Sequence, residues 1–342
     1  MINIAIFGAG GLGRSMARLI SIKKNTRLVC ILDSNGYAFD QNGIDYKLIE
    51  NVKNTVANIP NIGFSSENAI EEVIEKFASK FNGIFIALPN LPNSFIPEVS
   101  EKIALSKFKG VIVDALKRTT AVELLSKLDN TFNNNEVLYV TGAGATPGML
   151  SAVASIAAQS YVDIMDITIT FGVGISNWNE YRATIREDIA HLEGFNPDIV
   201  SKMTEEEVEA ELEKRNGILE LVNMEHADDI ILELAGVCSR DKVNVGGIVD
   251  TRNPKKPLST NVKITGLTLE GKLGTHVFTL SDNTTMSDNV NGPALGYMAS
   301  AYEMYQRKVF GFMTSADIGP KFLQTDKNKL EQLIKEKELV NA

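Results

Sequence analysis

The apolar positions at the start of the chain come as runs rather than alternations. Asn3-Ile-Ala-Ile-Phe7 reads as a strand buried on both faces. Leu12, Met16, Leu19 and Ile20 then recur at helical spacing and predict an amphipathic helix to Lys23. Leu28-Val-Cys-Ile-Leu32 predicts a second buried strand, stopping at Asp33. From there to Pro60 the chain is polar and weakly periodic, with a turn at Ser34-Asn-Gly36. Ile62-Gly-Phe64 predicts a short strand, followed by a helix with Ala69, Ile70, Val73, Ile74 and Phe77 on one face. Gly83–Leu88, Gly110–Asp114 and Val137–Thr141 are further buried runs, separated by helices over 98–106 and 120–128. Beyond the apolar helix from Met149 to about Gln159 the period changes. Asp163–Phe171 alternates, and further strands are expected over 242–248, 261–269 and 275–280, the last two joined by a turn at Glu270-Gly271. Thr204 and Glu207 form a capping box for an acidic helix to Arg215, and another helix is expected from about Glu225 to Leu234. The fold class is therefore α/β. A doubly wound parallel sheet occupies 1–150, an α+β domain with a mostly antiparallel sheet 151–288, and helices over 289–342 return to the first domain.

The junction between the first strand and helix carries candidate chemistry. Gly8-Ala-Gly10-Gly11-Leu12-Gly13 matches the Rossmann dinucleotide fingerprint. Gly8 suits the tight turn, Gly10 admits a pyrophosphate to the main chain, and Gly13 lets helix and strand pack closely. The helix N-terminus turns amide N–H groups and a positive dipole toward the phosphates. Asp33, about twenty residues further on, is placed to accept hydrogen bonds from a ribose and to repel a 2′-phosphate, favouring NAD over NADP. Leu88 ends the Gly83–Leu88 strand and Pro89 and Asn90 follow it, where the nicotinamide half of a cofactor lies in open α/β sheets. A rigid loop rich in turn residues is the other reading of that segment.

Composition narrows the partners. The 342 residues are 44% apolar, enough for two cores, and the formal charge is -9. A pI near 5.1 argues against nucleic acid or an anionic membrane as a general partner. No run is long enough to span a bilayer, and the expectation is a cytoplasmic protein. Cys30 and Cys238 give no disulfide framework, and His191, His226 and His276 lack the close pairing of zinc ligands, so no metal is expected.

Further candidates lie beyond the later strands. Lys117 follows the Gly110–Asp114 strand, where an ammonium can donate a proton to a substrate; the segment also reads as a plain helix entry capped at Thr120. Gly142-Ala-Gly-Ala-Thr146-Pro147-Gly148 is a second glycine turn, with Thr146 as N-cap and Pro147 at the first helical position. With Gly148 bare of a side chain, that helix start can hold a substrate carboxylate or the nicotinamide amide. Arg182 and Arg186 lie four apart on one helical face, with Trp178 nearby, and suit a carboxylate-bearing substrate. A salt-bridge array with Glu180, Glu187 and Asp188 is the alternative. His191 reads as a packed or surface histidine. A homo-oligomer, with a dimer favoured, is expected from the second sheet's open face.

Together these motifs, with Gly144-Ala-Thr-Pro147-Gly148-Met149 and Asn283-Thr-Thr-Met286 followed by Gly292-Pro293-Ala294, resemble the saccharopine dehydrogenase-like oxidoreductases. The resemblance implies a Rossmann domain paired with an α+β substrate domain. It also implies NAD(P)-dependent hydride transfer at a carbon–nitrogen bond of an amino-acid or polyamine substrate. Two alternatives stand beside it: a transferase resembling homospermidine synthase that recycles its NAD, and a cofactor-sensing or scaffold protein.

Overall fold

The computed structural model describes residues 1–90, 92–175, 178–281 and 284–340; Asn283 of the resemblance motif lies outside them. Among the described residues thirteen strands fall in two sheets. The first comprises β1 (Ile2–Phe7), β2 (Thr26–Asp33), β3 (Gly36–Phe39), β4 (Gly63–Ser65), β5 (Gly83–Ile86), β6 (Gly110–Asp114) and β7 (Val137–Thr141). The second holds β8 (Asp163–Gly174), β9 (Ile218–Leu221), β10 (Val243–Asp250), β11 (Thr260–Leu267) and β12 (Leu273–Leu280); β13 (Gly311–Thr314) returns to the first.

The first sheet has the order β13-β7-β6-β5-β1-β2-β3-β4 and is parallel from β13 to β2. Its central strands carry Ile, Val, Leu and Phe on both faces because helices cover both, and apolar cores form on either side. The polar stretch after Asp33 folds straight back: β3 pairs antiparallel with β2, and β4 with β3, in place of a helical crossover. Tyr37 and Phe39 reach the core from a segment whose sequence period is too short to read.

The second sheet has the order β12-β11-β8-β10-β9 and is antiparallel except between β8 and β10. It packs Ile167, Ile169 and Phe171 against helices on one face. The Met286–Gln306 helix then lies on the Gly11–Ile22 helix and β6, burying Ala294, Tyr297 and Met298, and leads into β13. No helix among the described residues is long and apolar enough to cross a membrane. Nor do they group three or more potential metal ligands.

Candidate active site

The turn after β1 divides its glycines by task. A Cβ on Gly8 would lie 2.2 Å from the Ala87 carbonyl oxygen, and one on Gly13 1.8 Å from that of Gly8, so both are required by close backbone packing. A Cβ on Gly10 would meet nothing within 4 Å. The Gly11–Ile22 helix has no side-chain cap at Gly10, leaving its first amides to a ligand. A cleft of about 620 Å³ runs past this turn, lined by Gly8, Gly10, Gly11, Leu12, Asp33, Leu88, Pro89 and Asn90 among others. Gly13 is not on its wall but behind it.

Asp33 lines the cleft while already holding the chain around it. Its Oδ1 accepts from Thr55 Oγ1 at 2.8 Å and Asn35 N at 2.9 Å, and its Oδ2 from Val56 N at 2.8 Å. The carboxylate is thus oriented by three donors.

A second, mostly apolar cavity of about 150 Å³ adjoins the cleft. Leu12, Asn90, Ala115, Tyr181 and Thr184 line both, so the two spaces meet there. Lys117 stands in this second cavity. It gets there because Asp114, buried at the end of β6, accepts from Leu116 N, Tyr139 Oη, Thr141 Oγ1 and Gly142 N and so shapes the exit of the strand. The Lys117 Nζ donates to Asp188 Oδ1 at 2.8 Å and lies 3.6 Å from Glu187 Oε2. Burial would discharge the lysine, but the two carboxylates outweigh it and hold its pKa above the ordinary value. Burial in turn raises the Asp188 carboxyl against the pull of Lys117.

The surroundings of the lysine are polar and tightly bonded. Arg118, almost fully buried, reaches Glu225 at 2.8 Å and His191 Nε2 at 3.1 Å. Burial, then the charges of Arg118 and Lys117, push His191 down to about 4, so its ring is neutral. Asn90 Nδ2 donates to Glu187 Oε2 at 2.9 Å, tying the loop after β5 to the same acid. On the other side His226 lines the cavity with its Nδ1 2.9 Å from Asp228 Oδ2. Asp228 also accepts from Thr146 Oγ1 at 2.6 Å and from Ser151 Oγ.

Several expectations need correction. The helix after the second glycine turn begins at Met149, not Pro147, and is capped by Gly148. Thr146 lines the cavity but spends its hydroxyl on Asp228 rather than on the helix. Gly148 is not on the wall of either space, and its bare Cα is required because a Cβ would lie 2.0 Å from the Gly144 oxygen. Arg186 turns away from both spaces and clasps Val200 O, Met203 O and Glu205. Trp178 is a core residue of the second domain, its Nε1 donating to Glu209. Arg182 borders the dinucleotide cleft, not the apolar cavity, and lies 3.5 Å from Glu205. Of the acids weighed against these arginines, the Glu180 side chain lies outside the described part of the structure. The helix expected from Glu225 begins at Asp228, which leaves Glu225 and His226 in a loop facing Lys117's side of the molecule. Asp188, His226, Asp228 and Arg118 were missed as site residues. Asp188 and Lys117 are 71 residues apart, and nothing in the local pattern joins them.

No protein-family model matches the chain. Among solved structures it resembles an engineered D-amino acid dehydrogenase bound to NADP+ (TM-score 0.54, 17% identity, 93% of this chain and 94% of that one). It also resembles the L-Glu-forming saccharopine dehydrogenase of Saccharomyces cerevisiae (TM-score 0.53, 9% identity, 92% and 94%). At such identities the likeness is one of fold. A curated relative is far nearer: the (S)-8-amino-7-oxononanoate synthase BioU of Haloferax mediterranei is 37% identical over 353 aligned positions, covering 94% of this chain and 99% of the relative. That finding overturns the activity expected from the sequence, a saccharopine dehydrogenase-like oxidation or reduction of a carbon–nitrogen bond, since the relative is a synthase. By its sequence along nearly its whole length, the chain belongs to the (S)-8-amino-7-oxononanoate synthase BioU family.

Proposed function

We propose that the protein is an (S)-8-amino-7-oxononanoate synthase that works with a nicotinamide dinucleotide bound in the β1 cleft. The observation that carries this reading, beside the full-length relative, is the meeting of a dinucleotide cleft with an apolar cavity at Leu12, Asn90, Ala115, Tyr181 and Thr184. The residues present fit the cofactor: the space above Gly10 is open and the helix amides behind it lack a side-chain cap. A bound nicotinamide supplies hydride-transfer chemistry at the junction. Asp33 would take the ribose hydroxyls, and with Glu67 on the same cleft it disfavours a 2′-phosphate, so NAD is the preferred form.

An 8-amino-7-oxononanoate has a vicinal amine and ketone at one end of an aliphatic chain and a carboxylate at the other. The apolar cavity suits the chain, and Lys117 suits the polar end. Held charged by Asp188 and Glu187, Lys117 is the proton donor to the reacting oxygen or nitrogen and regains its proton from solvent. His226 and Thr146, both tied to Asp228, complete the polar end.

The test is genetic, because it does not require knowing what the synthase consumes. Expression of the chain in a bacterium deleted for its own 8-amino-7-oxononanoate synthase is expected to remove the strain's need for added 8-amino-7-oxononanoate, and Lys117→Ala is expected to abolish that rescue. Failure of the native chain, expressed and folded, sinks the assignment. Rescue by Lys117→Ala sinks only the role of the lysine.

A further inference from the structure

The excursion between β3 and β4 leaves the first sheet and comes back to the dinucleotide cleft. It ends in a single 3-10 turn, Val56–Asn58, and two glycines let that turn lie directly on the strands. A Cβ on Gly36 of β3 would stand 2.8 Å from the Ala57 Cβ, and one on Gly63 of β4 2.3 Å from the Ala57 carbonyl oxygen. Val56, the neighbour of Ala57, is fully buried in one of the cores of the first domain. The turn is therefore fixed from both strands and from below. Thr55, the residue before it, is carried with it to the end of β2.

Both capacities of the Thr55 hydroxyl are used there. Its oxygen accepts from Ala57 N at 3.2 Å, capping the turn, and its proton goes to Asp33 Oδ1 at 2.8 Å. A carboxylate offers about four acceptor positions, two on each oxygen. Thr55 and Asn35 N fill those of Oδ1, and Val56 N takes one on Oδ2. The position left for a ribose hydroxyl is thus on Oδ2, and its direction is set by the bonds on the other three. Thr55 itself does not line the cleft, whereas Asp33 does. Asn35 O also accepts from Ser66 N at 3.0 Å, which joins the loop after β2 to the one carrying Glu67. Neither the Asp33–Gly36 loop nor residues 66–71 contain a lysine or arginine that could receive a 2′-phosphate. Discrimination between the two nicotinamide dinucleotides then depends on where the Asp33 carboxylate is held, because repulsion between anions falls with their separation. A carboxylate released from Thr55 can turn away from a phosphate and no longer presents a fixed acceptor to a hydroxyl.

On the reading that the β1 cleft holds a nicotinamide dinucleotide, we infer that Thr55 is a positioning residue for cofactor choice, setting the preference for NAD over NADP from outside the cleft by fixing the carboxylate of Asp33.

Titration of the full-length protein with NADH and with NADPH, followed by the emission of the reduced cofactor, tests this through the ratio of the two affinities. The native protein is expected to bind NADH about tenfold or more tightly than NADPH, and Thr55→Val to narrow that ratio by about 3- to 10-fold, the range for one hydrogen bond to a charged group. Thr55→Ala removes the same hydroxyl with less bulk and is expected to act alike, so the result does not hang on one variant. Thr55→Ser, which keeps the hydroxyl, is expected to keep the native ratio. A purely structural role predicts equal weakening of both cofactors, and an unchanged ratio in the Val and Ala variants overturns the role of Thr55 while leaving the cleft its cofactor. A native protein that does not favour NADH overturns Asp33 as selector, and the role of Thr55 with it. A native protein that binds neither cofactor overturns the dinucleotide reading itself.

Discussion

The chain makes the same kind of turn twice, after β1 and after β7, and the two differ in how far they are already closed. Gly8–Gly13 and Gly142–Gly148 each lead from a buried parallel strand into a helix. The first keeps its Gly10 corner open, with nothing within 4 Å of where a side chain would be. The second is closed on itself: Gly144 N donates to Pro147 O, Met149 N to Gly144 O, and Gly148 N to Ser151 Oγ. Thr146 and Ser151 are then anchored on buried Asp228. What separates a ligand site from a structural turn is whether the backbone donors are already satisfied. Glycine content alone does not distinguish them.

The difference can be broken at either turn. Gly148 has φ +136° and no room for a Cβ, so Gly148→Ala is expected to lower stability by about 3 kcal/mol or more, read as a fall in the denaturation midpoint. A variant as stable as the native protein would mean the second turn is not closed. Gly10→Ala should do the reverse. Its thermal midpoint stays within a few degrees of native, while NADH affinity, followed by the emission of the reduced cofactor, falls about tenfold or more as the methyl meets the pyrophosphate. Equal NADH affinity in the two proteins would place the cofactor elsewhere.

Smaller effects sharpen the picture around the turns. Arg186→Ala removes two backbone clasps and an ion pair far from both cavities. It is expected to cost about 1–2 kcal/mol of stability and to leave rescue of the synthase-deficient strain intact. Lost rescue with a normal unfolding curve would return Arg186 to the substrate. The smallest effect concerns pH. His191 is depressed from 6.5 to about 4 in the folded protein, so between these values the unfolded chain binds the extra proton. Stability therefore rises with pH across that window and falls on acidification through it. His191→Gln is expected to flatten the dependence between pH 6.5 and 4, measured by denaturant titration at several pH values; an unchanged slope would assign it to other groups.

Legibility in the sequence followed the range of the interactions. The buried runs at Ile4–Phe7, Gly83–Ile86 and Val137–Thr141 are visible because a central parallel strand needs apolar residues on both faces, and that is a local property. Gly8, Gly10 and Gly13 are visible because close backbone approach admits few other residues. Strand β4 is legible in Ile62-Gly-Phe64, whereas the four-residue β3, a tight return from β2, is too short to show a period. Trp178 and Arg186 misled because a helical face seen in isolation does not say which side meets the core.

From the sequence alone came the order of elements, the α/β class with its second, mostly antiparallel sheet, and the place of the dinucleotide turn. Those follow from periodicity and from the steric needs of single residues, which act between near neighbours. Tertiary structure alone decided that Lys117 is paired with Asp188, that Asp228 gathers Thr146, Ser151 and His226, and that the second glycine turn is shut. The Lys117–Asp188, Thr146–Asp228 and Ser151–Asp228 contacts join residues from 71 to 82 positions apart, and the turn is shut by bonds between near neighbours only once that anchoring on Asp228 is in place. An ion pair or a buried hydrogen bond depends on where two side chains meet in space, and a pattern read along the chain carries no record of that.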